Sequence, residues 1–211
     1  MVTIKRLQKA DEIELCEKLP IANRLWGTDN EMICYGQMGY LPGQEWVVKL
    51  TACEEEPRAT YTQNDEPVYK DSALEAFFQI DPEQNNGYIN LELNSAGVLR
   101  AQFGETRDER TFFTDEQMKQ CEILCDKKQM EGTTATQSVW WVQIALPFAV
   151  IENFYGEGSS KNLKEGTTLR CNFFKLSESS EAEHYASYSP IHYPTPNFHM
   201  PEFFADAVIV R

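Results

Sequence analysis

The sequence predicts an all-β fold, an antiparallel β-sandwich of the jelly-roll type with one or two short helices. At least eight short segments alternate between apolar and polar residues, as strands with one buried face do. Turn-forming residues separate these segments, and little of the chain follows the period of a helix. The 211 residues contain no internal repeat and no linker, so we expect a single domain over residues 1–211.

The composition limits the partners of the chain. A hydrophobic content of 42% is enough for a full core. The net charge of −14 disfavours nucleic acids and anionic membranes as partners, because both are polyanions.

The N-terminus lacks an apolar signal segment, and no later stretch approaches the ~18 apolar residues of a membrane helix. We therefore expect a cytoplasmic protein, or an extracellular one from which a signal has been trimmed.

The first third of the chain contains one clear strand and several weaker patterns. Residues 1–20 suit either a short helix or an edge strand, and residues 21–26 are typical of a strand. Residues 31–40 are ambiguous. Residues 46–54 alternate strongly and predict a strand. The polar, proline-flanked run 54–67 predicts a loop that leads into the central part of the sequence.

The central part, residues 68–99, contains two alternating runs joined by a turn-rich segment. The runs cover residues 73–79 and 88–94, and residues 81–87 between them predict a hairpin-like connection. Each run has one apolar face. The second face mixes carboxylates, amides and aromatic rings, whereas a merely solvated face more often carries Lys, Thr and Ser. This mixture is typical of a sugar-binding surface.

The remaining strands follow at intervals after the central part. Residues 100–103 continue the sheet, and Thr114 with Gln117 forms a capping-box pattern that predicts the start of a short helix. Residues 139–146 and 169–176 alternate as strands do. The chain ends in a further apolar strand, residues 207–210.

The polar faces of these strands form the candidate site, if the strands pair in one sheet with their apolar faces on the core. Aromatic rings would stack on the C–H faces of a sugar, and amide, carboxylate and guanidinium groups would bind its hydroxyls. Alternatively, the tryptophans face a second sheet and the polar residues are ordinary hydrogen-bond partners. The residues of these faces are Glu75, Phe77, Gln79, Tyr88, Asn90, Glu92, Trp141, Gln143, Arg170, Asn172 and Phe174.

Two other groups of residues could carry chemistry. Asp71, Glu75 and Glu92 could supply the two carboxylates of a glycosidase, which lie about 5 to 9.5 Å apart. The same side chains could instead bind sugar hydroxyls or a calcium ion. The three histidines, at positions 184, 192 and 199, suggest a metal triad. Their neighbours favour packed loop anchors, with the last of them bonding backbone carbonyls.

The six cysteines lack the spacing of a disulfide framework or a zinc site, so we expect reduced core residues. Cys121 and Cys125 lie four residues apart, which places them on one face if the segment is a helix. The same segment could equally be a strand. No further cysteine or histidine nearby completes a set of metal ligands. No P-loop, GxGxxG or GxSxG motif occurs either, which leaves nucleotide and acyl-transfer chemistry without support.

Five motifs in order resemble the carbohydrate-binding module family 9-like domains, over about Val47 to Val210. This resemblance implies a β-sandwich that binds glycans without catalysis, in xylanase modules at the reducing end, with calcium ions in the scaffold. The motifs are V-Y-K-D-S-A-L-E-A-F-F, Y-I-N-L-E-L-N-S-A-G-V-L, W-W-V-Q-I-A-L-P-F, L-R-C-N-F-F-K-L, and H-Y-A-S-Y-S-P followed by P-N-F-H-M-P-E-F-F.

The resemblance also implies roles for individual residues. The segment from Tyr69 to Asp71, together with Glu75, matches the part of the family that meets sugar. Asn90 and Asn172 fall on matching motif positions and are expected to bind hydroxyls. Trp140 matches the family's strand tryptophan on the core side. The chain departs from the family pattern at four positions: Tyr69 and Tyr188 replace frequent tryptophans, Gln143 a glutamate and Ala205 a glycine.

We therefore expect non-catalytic binding of a mono- or oligosaccharide. The alternatives are a glycoside hydrolase that uses Asp71, Glu75 or Glu92, and a protein-interaction domain. The sequence leaves the sugar, the oligomeric state and the metal content open, with calcium as the candidate metal. The expected stacking residues are Tyr69, Tyr88, Trp141 and Tyr188, and the expected polar contacts are Lys70, Asp71, Glu75, Asn90, Arg170 and Asn172.

Overall fold

The computed structural model describes residues 1–29, 31–129 and 138–211, which contain fourteen strands and two α-helices. The helices are α1 (Asp115–Gln120) and α2 (Phe148–Tyr155), and short 3-10 helices cover Ala10–Leu15, Val68–Lys70, Ser159–Asn162 and Pro201–Phe203. The strands are β1 (Val2–Arg6), β2 (Leu19–Pro20), β3 (Asn23–Arg24), β4 (Ile33–Leu41), β5 (Glu45–Glu54), β6 (Ala73–Ile80), β7 (Tyr88–Asn94), β8 (Leu99–Gly104), β9 (Arg110–Phe112), β10 (Glu122–Gln129), β11 (Ser138–Pro147), β12 (Thr168–Ser177), β13 (His184–Ser187) and β14 (Ala205–Val210).

The strands form one curled sheet in the order β10-β11-β5-β4-β1-β14-β12-β6-β7-β8-β9. Three short strands lie off this path: β2 pairs with β4, β13 with β12, and β3 with β13. The predicted all-β class with two short α-helices is confirmed. Most pairs are antiparallel as predicted, but β1 runs parallel to both of its neighbours, β14 and β4, so the sheet is mixed.

The curl brings the apolar faces of the two halves of the sheet together into one core. Trp46 on β5 stacks against Phe78 on β6 with ring centroids 5.9 Å apart. Leu74, Ala76 and Val48 are fully buried in the same cluster. Burying one large apolar side chain stabilises the folded state by roughly 1.5–3 kcal/mol. Burial in this shared core therefore stabilises the packing of the two halves of the sheet against each other, as in a sandwich.

The strands predicted from strong alternation are all present within one or two residues of their predicted bounds. They are β5, β6, β7, β11 and β12. The capping box at α1 is also confirmed. The Gln117 backbone N–H donates to Thr114 Oγ1 at 3.3 Å, and the Thr114 N–H donates to Gln117 Oε1 at 2.7 Å. Local sequence therefore determines these elements.

The N-terminal region differs from the prediction in detail. It contains both a strand, β1, and a 3-10 helix, where one or the other was expected. Val2 and Ile4 are buried while Thr3 and Lys5 are exposed, which is the alternation of a strand. The strand predicted over residues 21–26 is reduced to the two residues of β3.

The two closely spaced cysteines do not share a helix. Cys121 directly follows α1, and Cys125 lies on the strand β10.

A second apolar cluster covers much of the face of β6, β7 and β12 that lies opposite the main core. Phe77, Tyr88 and Phe174 point away from the main core and pack under the segment after β13. Phe174 and Phe198 stack with centroids 4.2 Å apart, and Phe204 lies edge-on to Tyr88 at 5.4 Å. The C-terminal segment thus forms an additional layer on this face, and the part that it leaves uncovered becomes a cleft.

None of the described helices combines the length and the hydropathy that a membrane span requires.

Candidate functional site

A cleft of ≈ 200 Å³ opens where the C-terminal layer meets the polar face of β6, β7, β8 and β9. Each strand contributes side chains from the face opposite the main core, because alternate residues share a face. The lining residues are Trp26, Tyr69, Glu75, Glu92, Arg100, Gln102, Arg107, Arg110, Leu176, Glu178, Tyr185, Pro196, Asn197, Phe198 and His199.

Two carboxylates form the floor of the cleft. Glu75 on β6 and Glu92 on β7 are directly opposite each other in the antiparallel register, and each is only 3% exposed. Asn90 Nδ2 donates to Glu92 Oε1 at 2.7 Å, and Arg100 Nε lies 3.7 Å from Glu92 Oε2. Within the described chain, Glu92 Oε2 accepts no hydrogen bond. A buried carboxylate oxygen without a donor is a place where a ligand hydroxyl gains a partner.

Burial changes the protonation of both carboxylates. It raises the pKa of Glu92 to about 7, although Arg100, Arg110 and the Asn90 amide act in the opposite direction. Burial also raises the pKa of Glu75 well above its ordinary value, and the nearby charges of Glu92 and Glu178 add to this effect. The floor therefore retains protons near neutral pH, where ordinary glutamates are ionised.

Three arginines surround the carboxylates. Arg110 donates from Nη2 to Asn90 Oδ1 and from Nη1 to the Thr106 carbonyl, and its guanidinium lies 4.4 Å from the Tyr88 ring centroid. Arg107 donates to the carbonyl of Pro196 at 3.3 Å. Arg100 donates to the carbonyl of Asp65 at 2.6 Å. The protein itself therefore fixes the orientation of these guanidinium groups.

Aromatic rings form the sides of the cleft. Trp26 packs against Phe198 and Tyr185, both with ring centroids 5.4 Å away, and its indole N–H donates to the Tyr193 carbonyl at 2.7 Å. Tyr69 is partly exposed, and the Arg100 guanidinium lies 5.7 Å from its ring centroid. Flat rings beside hydrogen-bonding groups provide both kinds of contact that a sugar ring requires.

The structure places three of the predicted site residues at the cleft. Tyr69 and Glu75 line it, and Asn90 lies directly beneath, holding Glu92 and Arg110. A fourth, Lys70, is exposed beside Tyr69, with Nζ 6.0 Å from the ring centroid. Antiparallel pairing of β6 with β7 brings Glu75 and Asn90 together, as predicted from the two alternating runs, whereas Tyr69 and Lys70 lie on the 3-10 helix that precedes β6.

Asp71 is fully buried and has a different environment from the one predicted. Its carboxylate accepts the backbone N–H groups of Thr60 and Tyr61 at 2.9 and 3.0 Å, and the Asn94 amide at 3.0 Å. Arg58 lies 3.5 Å away. Asp71 therefore anchors the loop before the central strands, and it has no surface to offer to a ligand.

Tyr88 and Asn172 are also buried, which contradicts the prediction that they face an open surface. Tyr88 stacks against Phe77 at 5.9 Å, and its hydroxyl lies 3.0 Å from His199 Nδ1. Asn172 accepts the Ser189 N–H at 2.8 Å and donates to the Ser189 carbonyl at 3.1 Å. Both residues hold the C-terminal layer on the sheet, which the alternation within single strands did not reveal.

Trp141, Arg170 and Tyr188 lie away from the cleft, so the predicted common surface is wrong for these three. Trp141 is on β11, in the other half of the sandwich, with Lys49 Nζ 4.0 Å from its ring centroid. Arg170 forms an ion pair with Asp206 at 3.3 Å, near the start of β12. Tyr188 packs edge-on to Phe173 on the core side, at 6.1 Å.

Several lining residues were not among the sequence-based candidates. Arg100 and Gln102 alternate with the buried Leu99 and Ala101 on β8, so the same period-2 argument assigns them to the face of Glu92. Asn197 and its neighbours reach the cleft through a long-range contact, so no pattern in the local sequence identifies them as lining residues.

The histidines do not form a triad. His184 contacts the Lys175 ammonium at 2.8 Å, His192 packs edge-on to Phe203 at 6.1 Å, and His199 bonds the Tyr88 hydroxyl where backbone carbonyls were expected. Burial, together with the nearby arginines, lowers the pKa of His199 to about 3. In the described ranges, no three histidine, cysteine, aspartate or glutamate side chains are grouped as metal ligands. Three of the six cysteines, Cys16, Cys34 and Cys171, are buried.

A second cleft, of ≈ 680 Å³, lies on the opposite side of the β12 strand near β5. It contains the buried Lys175, which pairs with Glu54 at 3.2 Å, and several exposed glutamates. Its described lining includes no phenylalanine, tyrosine or tryptophan. The first cleft, which combines rings with hydrogen-bonding groups, is therefore the better candidate for a sugar site.

Comparisons with known proteins agree with this architecture. The model of carbohydrate-binding family 9 matches residues 40–209. A candidate carbohydrate-binding protein from Bacteroides uniformis ATCC 8492 aligns over 99% of this chain and 98% of its own, with a TM-score of 0.78 and 20% identity. No curated protein matches the chain in sequence.

Two further solved structures are family 9 modules from Caldicellulosiruptor kristjanssonii. One is in complex with glucose and aligns with a TM-score of 0.61 and 10% identity, over 99% of this chain and 95% of its own. The other is in complex with cellotriose, at a TM-score of 0.61 and 11% identity, over 99% and 92%. At such identities the structural matches show a shared fold.

Proposed function

The chain belongs to carbohydrate-binding family 9, and we propose that it binds a mono- or oligosaccharide, without altering it chemically, in the cleft above Glu75 and Glu92. The observation that carries this proposal is the buried Glu92 Oε2, which accepts no hydrogen bond from the described residues and lies in a cleft walled by Tyr69 and Trp26. A sugar hydroxyl supplies that donor while the sugar ring packs against an aromatic side chain.

The cleft provides partners for hydroxyls in both of their roles. Glu92 accepts a hydrogen bond from a hydroxyl, and the N–H groups of Arg100 and Arg110 donate to hydroxyl oxygens. The volume of ≈ 200 Å³ is below the ~300 Å³ at which pockets for drug-sized ligands begin. We therefore infer that one terminal ring enters the cleft and that any further rings extend into solvent.

The geometry of the carboxylates supports binding without hydrolysis. Glycosidases place two carboxyl groups on either side of the scissile bond. Glu75 and Glu92 instead lie side by side on neighbouring strands of one floor. Asp71, the third candidate, is occupied by backbone N–H groups. No pair among the three candidate carboxylates therefore flanks the space that a sugar would occupy.

Tyr69→Ala is expected to weaken sugar binding by about tenfold or more, equivalent to about 1.4 kcal/mol, because it removes a ring from the cleft wall. Trp141→Ala is the matched control. Trp141 is also partly exposed and also has a cation over its ring, but it lies in the other half of the sandwich. Isothermal titration calorimetry of both variants against glucose, cellotriose and a wider panel measures the difference.

If Trp141→Ala weakened sugar binding and Tyr69→Ala did not, the binding site would lie in the other half of the sandwich. Absence of binding to every sugar in the panel by the unaltered protein would refute the proposed function.

A further inference from the structure

Three of the few cationic side chains of this acidic chain converge on the cleft. The sequence contains 19 Lys and Arg against 33 Asp and Glu, yet Arg100, Arg107 and Arg110 all line one small space. Arg100 lies 3.7 Å from Glu92, whereas Arg107 and Arg110 form no ion pair with any carboxylate of the described residues. Guanidinium groups without a counter-ion in a partly enclosed site favour an anionic ligand.

Arg110 also retains an unused donor in a buried position. Its two Nη atoms donate to Asn90 Oδ1 and to the Thr106 carbonyl. Its Nε is shielded from solvent and has no hydrogen-bond partner within the described part of the chain. Leaving such a donor unpaired costs roughly 1–3 kcal/mol, which an acceptor from a ligand recovers. The guanidinium is already oriented by its other bonds, so the ligand does not need to order it.

The glutamates of the cleft do not cancel this positive charge. Burial raises the pKa of Glu92 to about 7, and the pKa values of Glu75 and Glu178 are also raised, chiefly by burial. His199, which also lines the cleft, is neutral because burial and the arginines lower its pKa to about 3. At or below neutral pH the cleft is therefore more positive than its three arginines and three glutamates suggest.

We propose that the cleft selects a sugar that carries a carboxylate, of the uronic acid type, with the acid group on the guanidinium groups of Arg107 and Arg110. This inference rests on the proposed sugar-binding function and names its ligand class. A planar guanidinium pairs with a carboxylate through two parallel hydrogen bonds, whereas a hydroxyl uses only one of them. The ring and its hydroxyls keep the partners described above, Tyr69 and Glu92.

Calorimetry with glucuronate and its uncharged isostere glucuronamide tests this selection at pH 6. We expect glucuronate to bind at least tenfold more tightly than glucuronamide. We also expect this ratio to decrease as the pH rises from 6 to 8, because Glu92, whose pKa is about 7, then ionises and repels the ligand. In an Arg107→Gln variant, which alters an exposed side chain, the ratio of the two affinities should fall towards one.

Three outcomes would overturn the proposal. If glucuronamide or glucose binds as tightly as glucuronate, the cleft binds sugars but does not select for a negative charge. Acetate could compete as well as glucuronate does, which identifies a site for small anions only. A sulfated sugar could bind more tightly than the uronate, which assigns the site to another acid group. If neither neutral nor acidic sugars bind, sugar binding itself fails as the function of the cleft.

Discussion

Lys175→Met is expected to lower the free energy of unfolding by about 3–5 kcal/mol, the usual cost of leaving a buried charge without its partner. Lys175 is 1% exposed on β12 and pairs with Glu54 of β5 at 3.2 Å. Its ammonium also donates to the Leu176 carbonyl and contacts His184 Nε2 at 2.8 Å. The pair joins the two halves of the sandwich. Without Lys175, Trp140 and Ser72 remain as the hydrogen-bond donors to the Glu54 carboxylate among the described residues.

Urea unfolding at pH 7 measures this loss, and a double variant provides the control. Lys175→Met combined with Glu54→Gln removes both buried charges, so it should recover most of the lost stability. A single variant that loses less than about 1 kcal/mol would show that the pair contributes no more than an exposed ion pair. A double variant as unstable as the single one would assign the loss to packing.

Glu92 is expected to make the protein less stable as the pH rises. Its pKa is about 7 in the folded protein and ordinary in the unfolded chain, so the folded state binds the extra proton between about pH 4.5 and 7. The stabilisation is complete below this window and is lost as the pH rises through the folded pKa. The loss is on the order of 3 kcal/mol, from about 1.36 kcal/mol per pKa unit.

Glu92→Gln should therefore become stabilising relative to the unaltered protein as the pH increases from 4.5 to 8. Urea unfolding across this range gives the difference in unfolding free energy at each pH. Glu83→Gln, at an exposed position in the turn after β6, is the matched control and should keep the slope of the unaltered protein. If the difference in unfolding free energy between the Glu92 variant and the unaltered protein did not change with pH, Glu92 would be ionised across this whole pH range.

Much of the fold could be predicted because the signals were local. Alternation assigned the core-facing residues of β6 and β7, such as Ala76 and Leu91, and the capping box of α1 depends on four consecutive residues. The parallel pairing of β1 depends on contacts with β4 and with β14, the last strand of the chain, so no local pattern indicates it. The alternating pattern that predicts a strand over residues 139–146 gives no sign of helix α2, which begins directly after Pro147, although proline is compatible with the start of a helix.

The site could be predicted only where neighbouring strands are also neighbours in sequence. Glu75 and Glu92 are paired by one hairpin, so their proximity follows from the two runs around it. Trp141 was misplaced because strand order is not a local property: β11 pairs with β5, in the other half of the sheet. Tyr88 was expected on an open surface because nothing in its own strand indicates that Phe204 covers it.

Side-chain nitrogen NMR during a sugar titration tests most directly whether the cleft is the binding site. Uniformly ¹⁵N-labelled protein gives separate signals for the arginine Nε–H groups and the tryptophan indoles. We expect saturating sugar to shift the Arg100, Arg107, Arg110 and Trp26 signals and to leave Trp141 unchanged. Shifts confined to Trp141, with the three arginines unaffected, would contradict the account.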